Sequence, residues 1–170
     1  LSSSSAASDV YKRQEQELTP EAWLARYMAA EIDCVAITDH NTGEWVDRLK
    51  LAYQDMEVAA GPGFRPLTLF PGVEISVQGG IHLLAIFDPE CQGVDIERLL
   101  AQVEYNGNPG HSDGVTAKGI SEAIRIVKNA GAIPIPAHAD QPGANGKALF
   151  AIREGTCLLY TSDAADEEDS

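Results

Sequence analysis

The sequence is poor in cysteine and in positive charge, and it has no long apolar run. Its three cysteines form no Cys-x-x-Cys pair, so neither a disulfide framework nor a cysteine-rich zinc site is predicted. Only 12 lysines and arginines accompany 26 aspartates and glutamates, which gives a net charge of −14 and argues against a cationic nucleic-acid interface. No stretch approaches the roughly 18 apolar residues of a membrane span. Because the beginning of the sequence also lacks an apolar signal region, no membrane partner and a cytoplasmic location are expected.

Two stretches near the ends resemble translations of a single sequencing-library adapter, read once forward and once as its reverse complement. Residues 4–14 read SSAASDVYKRQ, and residues 157–167 read CLLYTSDAADE. We therefore predict that residues 1–14 and 157–170 are disordered, adapter-like scars without function, and that residues 15–156 form one partial domain. A pair of ordinary disordered polar tails is the alternative interpretation.

Helical and extended patterns alternate through the predicted domain, which favours an α/β sheet or barrel. Helices are predicted from Thr19-Pro20-Glu21 onward and over about residues 44–60, 95–103, 121–131 and 147–154. Strands are predicted over residues 33–38, 67–70, 81–87 and 132–137, and the strand over 67–70 leads into the string PGVEISV at 71–77. The apolar run around Cys34 predicts a fully buried strand with a buried thiol, and Gln78-Gly79-Gly80 predicts a hairpin-type turn. Two prolines make the last strand irregular or edge-like, or one that stops pairing near a site.

Three side chains with metal-binding chemistry lie at or just past the ends of predicted strands: His40, Glu74 and His138. In parallel α/β folds, this rim is where loops converge to form sites. Imidazole nitrogen and carboxylate oxygen together suit zinc, manganese or iron. Glu74 lies in an apolar run, where an unpaired carboxylate is costly to bury, so a cation partner is expected. A single histidine after a strand is otherwise usually a loop residue or a hydrogen-bonding group.

Three further residues have two interpretations each. His82 alternates with apolar residues on a predicted strand, and it is either a metal ligand or a side chain of the opposite sheet face. Asp39 precedes His40 and either orients a ligand imidazole or forms an Asx-type turn. His111 lies in the polar string GHSDG and is expected to face solvent.

Three strings, in order along the chain, resemble motifs of the PHP (polymerase and histidinol phosphatase) superfamily. AITDHNTGEW at 36–45 looks like its second motif, and FPGVEISVQGGIHLLAIF at 70–87 looks like its third. AGAIPIPAHAD at 130–140 looks like its later AHP-type motif. The string FRPLTLFPGVEIS, together with IPIPAHAD, further resembles PHP domains that precede an SMC/RecF-like ATPase region.

The resemblance implies a metal-dependent phosphoesterase with an incomplete, distorted βα barrel of TIM-like type. Two or three divalent ions, zinc, manganese or iron, would lie at the barrel mouth. His40 and His138 are implied as metal ligands, Glu74 as a bridging carboxylate, and His82 as a ligand or a group that contacts phosphate. His82 and Asp39 are the residues expected to assist catalysis. The implied substrate is a phosphorylated small molecule or a nucleic-acid end, and the implied partner in the parent protein is a C-terminal ATPase region.

Two family motifs have no counterpart here: an HxH motif on the first strand and a late Asp-x-His motif. We therefore expect the fragment to expose unpaired sheet edges and to be inactive alone. An amidohydrolase-type metal hydrolase stays open as an alternative. A lysine on a strand would favour it, but all the candidate lysines fall in predicted helices or a loop. These candidates are Lys50, Lys118, Lys128 and Lys147. A non-catalytic PHP-like module that regulates an attached ATPase in DNA or RNA maintenance also stays open.

Overall fold

The computed structural model describes residues 18–138, which form two compact units. Within the described residues, the first unit combines residues 18–33 with 48–67, and the second combines 34–47 with 68–138. Several predicted features lie outside this range: both adapter-like stretches, the helix expected over 147–154, and Asp140 of the third motif. Among the described residues, no helix has the combined length and apolar character that crossing a bilayer requires.

The first unit is built from helices. Helix α1 covers Pro20–Ala29 and helix α2 covers Glu44–Ala59, of which the part from Arg48 onward belongs to this unit. The Thr19 side chain caps α1 by accepting a hydrogen bond from the Ala22 N–H at 3.2 Å, as the Thr-Pro-Glu start predicts. The buried apolar side chains of this unit include Leu24, Met28, Leu49, Ala52 and Leu67.

The second unit is organised around one mixed sheet of four strands in the order β1-β2-β3-β4. The strands are β1 (Cys34–Ile37), β2 (Thr68–Val77), β3 (Ile81–Ile86) and β4 (Ile133–Pro136). β1 runs parallel to β2, whereas β2 with β3 and β3 with β4 are antiparallel. Two helices, α3 (Gly93–Gln102) and α4 (Ile120–Asn129), complete the unit. All of these elements were predicted from the sequence, but β2 continues to Val77, seven residues beyond its predicted end at Phe70.

The predicted barrel is wrong, although the α/β class is right, because the described strands form an open mixed sheet. A TIM-like barrel needs parallel strands that are joined by crossover connections of about a dozen residues or more. Only Gln78, Gly79 and Gly80 separate β2 from β3, and the two glycines have φ of 84° and 72°. The chain therefore reverses in a hairpin, and β3 must run antiparallel to β2.

The sheet has one buried face and one open face, because successive side chains of a strand point to opposite sides. The buried face of β2 and β3 carries Val73, Ile75, Val77, Ile81, Leu83 and Ala85. α3 packs on β2 and α4 packs on β4. Their buried side chains include Ile96, Leu99, Ala123 and Val127. The other face of β2 and β3 is only partly covered, and it carries Glu74, His82 and Leu84.

β1 and β4 are the edges of the described sheet. Cys34 and Ala36 of β1 are exposed, so the predictions of a fully buried strand and of a buried Cys34 thiol are wrong. An edge strand beside an open face buries only alternate residues, and here Ile37 is the buried one. β4 contains Pro134 and Pro136 and lies at the other edge, which agrees with the edge-like interpretation of its two prolines.

Candidate metal centre

Glu74 is the central residue of the site, and it lies inside β2 rather than at the strand end, where it was expected. Its neighbours Val73 and Ile75 are buried on the opposite face. Strand alternation therefore places the carboxylate on the open face, where it is nevertheless only 13% exposed. A carboxylate covered to this extent is costly to keep charged unless polar or cationic partners surround it.

Three histidines supply those partners. His82 Nδ1 lies 2.7 Å from Glu74 Oε1, and His138 Nε2 lies 3.2 Å from the same oxygen. His40 Nε2 lies 3.9 Å from Glu74 Oε2. The imidazole rings also adjoin one another, with centroid distances of 5.4 Å between His40 and His82 and 5.7 Å between His82 and His138. We call these four residues the His–Glu cluster, and they are the four that the sequence predicts as metal ligands.

Strand pairing brings His82 and His40 to Glu74. In the β2–β3 hairpin His82 pairs with Ser76, so it lies diagonal to Glu74 on the same face of the sheet. His40 lies just past β1 and forms an isolated parallel bridge with Glu74. In this bridge the Glu74 N–H donates to Asp39 O and the Asn41 N–H donates to Glu74 O, both at 3.0 Å.

His138 reaches the cluster through a change of backbone direction after β4. The strand pairing continues to the Ala137 N–H, which donates to His82 O at 3.0 Å. His138 then has a φ of 53°, a left-handed conformation that costs roughly 1–2 kcal/mol for a residue with a Cβ. Strain of this kind is concentrated at functional sites in proteins, and here it accompanies the approach of Nε2 to Glu74.

The donor set fits a divalent transition metal. One potential ligand atom from each of His40, Glu74 and His82 lies within 4.8 Å of the others. Imidazole and carboxylate together are typical ligands of zinc, manganese and iron.

His40 keeps one ring nitrogen unpaired. Its Nδ1 is buried and has no hydrogen-bond partner among residues 18–138, while Nε2 faces Glu74. Asp39 therefore makes no hydrogen bond to His40 here, and its expected role in orienting the imidazole stays a prediction. Partial desolvation raises the pKa of the Asp39 carboxyl, whereas the neighbouring His40 acts in the opposite direction.

Asn41 and Ser76 belong to the surroundings of the cluster and were not predicted. Asn41 is only 1% exposed and has a φ of 50°. Its Nδ2 donates to Ser76 Oγ at 2.9 Å and to His111 O at 2.8 Å, and its Oδ1 accepts from the Ser76 N–H at 2.9 Å. A signal was present in the sequence, because asparagine is enriched at positive φ and in turns that follow strands.

The fourth histidine of the chain stays out of the cluster. His111 is exposed, as predicted, and the hydrogen bonds it receives near the cluster go to its backbone carbonyl. That carbonyl accepts from Asn41 Nδ2 and from Tyr105 Oη, each at 2.8 Å. The Thr116 N–H donates to Ser76 O at 2.9 Å, so the loop over residues 105–116 is attached to β2 as well as to Asn41.

Comparison of the sequence with protein-family models gives no match, and a search of curated proteins gives none either. The similarity to the PHP superfamily therefore stays a prediction drawn from three motifs. The chemistry of the His–Glu cluster has to be argued from its own geometry and donor atoms.

Proposed function

We propose that this chain is part of a metal-dependent phosphoesterase related to the PHP superfamily. The observation that carries the proposal is the convergence of three histidines, from separate parts of the sequence, on the carboxylate of Glu74. The motif resemblance supplies the reaction class, and the donor set supplies a place for the ions that such a reaction uses. A phosphorylated small molecule or nucleic-acid end as substrate, an attached ATPase region and a cytoplasmic location belong to the same proposal.

Glu74 has the geometry of a shared ligand. Its Oε1 faces His82 and His138, and its Oε2 faces His40, so the two oxygens serve different sides of the cluster. Divalent ions held there would supply Lewis acidity to a phosphoryl group and would lower the pKa of bound water. The protein contributes a carboxylate that strand pairing holds in place from both neighbouring strands.

His82 is the residue best placed to handle a proton. Its contact with Glu74 Oε1 assigns the proton of the neutral ring to Nδ1, which leaves the lone pair on Nε2. Nε2 is therefore the nitrogen that is free to bind a ligand, contact a phosphate oxygen or, in the protonated ring, donate to a leaving oxygen.

The test measures metal binding by the full chain. The protein is stripped of metal with a chelator and titrated with Co²⁺ and Zn²⁺, and hydrolysis of p-nitrophenyl phosphate is followed in parallel. We expect wild type to bind with micromolar or better affinity and Glu74→Gln to bind at least tenfold more weakly. Glu90→Gln, which removes the same charge from an exposed position, is the matched control. Equal affinity in wild type and Glu74→Gln would exclude Glu74 as a ligand.

The amidohydrolase-type alternative has less support. It is favoured by a strand lysine, and none of the four described strands contains lysine. Lys50 and Lys128 lie in helices, and Lys118 pairs with Glu104 at 2.9 Å. Lys147 lies outside the described residues. The non-catalytic alternative needs the same assay on a protein that carries the complete motif set, where metal binding without hydrolysis would favour it.

A further inference from the structure

We propose that Asn41 is a positioning residue of the His–Glu cluster, and that its side chain sets the distance between His40 and Glu74. The metal titration that tests this inference rests on the proposed function. The hydrogen bonds that support the inference do not depend on a bound metal. Asn41 is almost fully buried, adjoins His40 in the sequence and makes three side-chain hydrogen bonds.

The first step concerns the backbone. When His40 forms a parallel bridge with a residue of β2, that residue makes two hydrogen bonds to the His40 segment. Its N–H donates to the carbonyl of the residue before His40, and its carbonyl accepts from the N–H of the residue after His40. Both bonds are present, from the Glu74 N–H to Asp39 O and from the Asn41 N–H to Glu74 O. The next bond of this pattern would join the Ser76 N–H to Asn41 O. It does not form, because the chain turns away at Asn41 with a φ of 50°.

The Asn41 side chain replaces the missing bond. Its Oδ1 accepts from the Ser76 N–H at 2.9 Å, so the amide oxygen takes the place of a strand carbonyl. Ser76 is buried, so loss of the Asn41 side chain would take away the acceptor of a buried backbone N–H. Asn41 thus lets the pairing of the His40 segment with β2 extend one step beyond the point where the backbone leaves the sheet.

The amide nitrogen of Asn41 completes the connection. Its two protons are directed to Ser76 Oγ at 2.9 Å and His111 O at 2.8 Å. Both donors and the acceptor of the amide are therefore used, in a site from which water is largely excluded. Networks that are buried and fully satisfied hold one geometry, because each alternative leaves polar groups unpaired.

His40 is the member of the cluster that needs this support. His82 is held by the β2–β3 hairpin itself, whereas His40 lies beyond the end of β1 and is joined to β2 by an isolated bridge. Its Nε2 has the longest distance to Glu74, 3.9 Å, and its Nδ1 has no partner in the described part of the chain. Loss of the Asn41 side chain should therefore displace His40 and leave the His82–Glu74 contact in place.

The first experiment uses Asn41→Gly in the full chain, because glycine accepts a φ of 50° without strain and only the side chain is removed. Titration with Co²⁺ is expected to give an affinity 10- to 100-fold weaker than wild type, the usual effect of removing a group that orients a metal ligand. Val127→Ala, at a fully buried site in α4, is the control. It should lower the unfolding temperature but keep the wild-type affinity, as a purely structural change would.

A second measurement separates this inference from the proposed function. In the metal-free protein, the contact between the His40 and His82 rings is followed by nuclear Overhauser effects. We expect it to be lost in Asn41→Gly, while the contact between His82 and His138 persists. If wild type binds no Co²⁺, the proposed function fails, and the ring contacts still decide the role of Asn41. A folded Asn41→Gly with the His40–His82 contact unchanged would overturn the inference.

Ser76→Ala covers the case in which Asn41→Gly does not fold. This variant removes one acceptor of the Asn41 amide and keeps the backbone N–H that Oδ1 binds. We expect the same two changes in weaker form, with a Co²⁺ affinity lowered several-fold and a weakened His40–His82 contact. Wild-type values for both measurements in Ser76→Ala would likewise count against a positioning role.

Discussion

His82 Nδ1 lies 2.7 Å from Glu74 Oε1, across the hairpin that joins β2 to β3. The two residues are diagonal neighbours in a continuous antiparallel ladder, so backbone pairing fixes their separation before any ion binds. His40 and His138 approach the same carboxylate from segments beyond the ends of β1 and β4. The cluster thus combines one pair that the hairpin holds rigidly with two histidines whose positions depend on the chain after a strand.

Replacement of His82 by Gln tests this pair. The variant removes the closest partner of a carboxylate that is only 13% exposed, so the metal-free protein should lose about 1 kcal/mol of unfolding free energy. Affinity for Zn²⁺ should fall at least tenfold. Urea denaturation and metal titration measure the two effects. His111→Ala, at the exposed histidine, is the matched control and should change neither quantity.

Gly43→Ala tests the packing of the loop that follows His40. A Cβ at this position would lie 2.9 Å from Gly93 O and 3.0 Å from Ile96 Cβ, so backbone or core atoms would have to move. The surrounding bonds, from the Gly43 N–H to Glu97 at 3.1 Å and from the Gly93 N–H to Asp47 at 2.9 Å, resist such a shift. We expect a loss of about 1–3 kcal/mol of unfolding free energy by urea denaturation.

Gly61→Ala is the control for that measurement, because a Cβ there would have no neighbour within 4 Å. A change of less than about 0.5 kcal/mol is expected. An equal loss of unfolding free energy in both variants would show that the close packing of Gly43 against α3 does not determine the cost of adding a Cβ.

The local elements were predictable because their signals are local. The Thr19 cap, the Gly79-Gly80 turn and the prolines of β4 each act within a few residues, and each appears in the structure as expected. The barrel was wrong because an alternation of helices and strands does not specify strand direction. The hairpin between β2 and β3 does specify that these two strands are antiparallel, whereas β1 and β2 are parallel. Whether the whole sheet is a parallel barrel or an open mixed sheet can be decided only when all of the pairings are known.

The cluster was predicted as a set of residues, but its supporting contacts were not. His40, Glu74, His82 and His138 have side chains with recognisable chemistry, and three of the motifs contain them. The role of Asn41 depends on pairing between segments that are 35 residues apart, and nothing local to Asn41 specifies Ser76 as its partner. Glu74 was expected past a strand end because the strand was predicted to end at Phe70, whereas pairing with β3 continues β2 to Val77.

Asp113 provides a pH-dependent test of the loop over residues 105–116. Hydrogen bonds from the Asn108 backbone N–H and side-chain amide hold the pKa of the Asp113 carboxyl below its usual value of 3.8. A lowered pKa means that the carboxylate stabilises the folded loop above about pH 4, and that this contribution is lost as the pH falls through the folded-state pKa. Carboxyl chemical shifts should show the lowered value, and Asn108→Ala should return it towards 3.8. A pKa at or above 3.8 in wild type would contradict these contacts.

Metal binding should be visible as thermal stability, since an ion that binds only the folded state stabilises it by mass action. At a free Zn²⁺ concentration of about 100 times the Kd, the gain is about 2.7 kcal/mol, and a chelator should reverse it. Glu74→Gln should lose most of this gain because Glu74 contacts all three histidines of the cluster. Glu90→Gln should keep it. Differential scanning calorimetry with and without Zn²⁺ makes the comparison, and an equal rise in wild type and Glu74→Gln would place the bound ion away from the cluster.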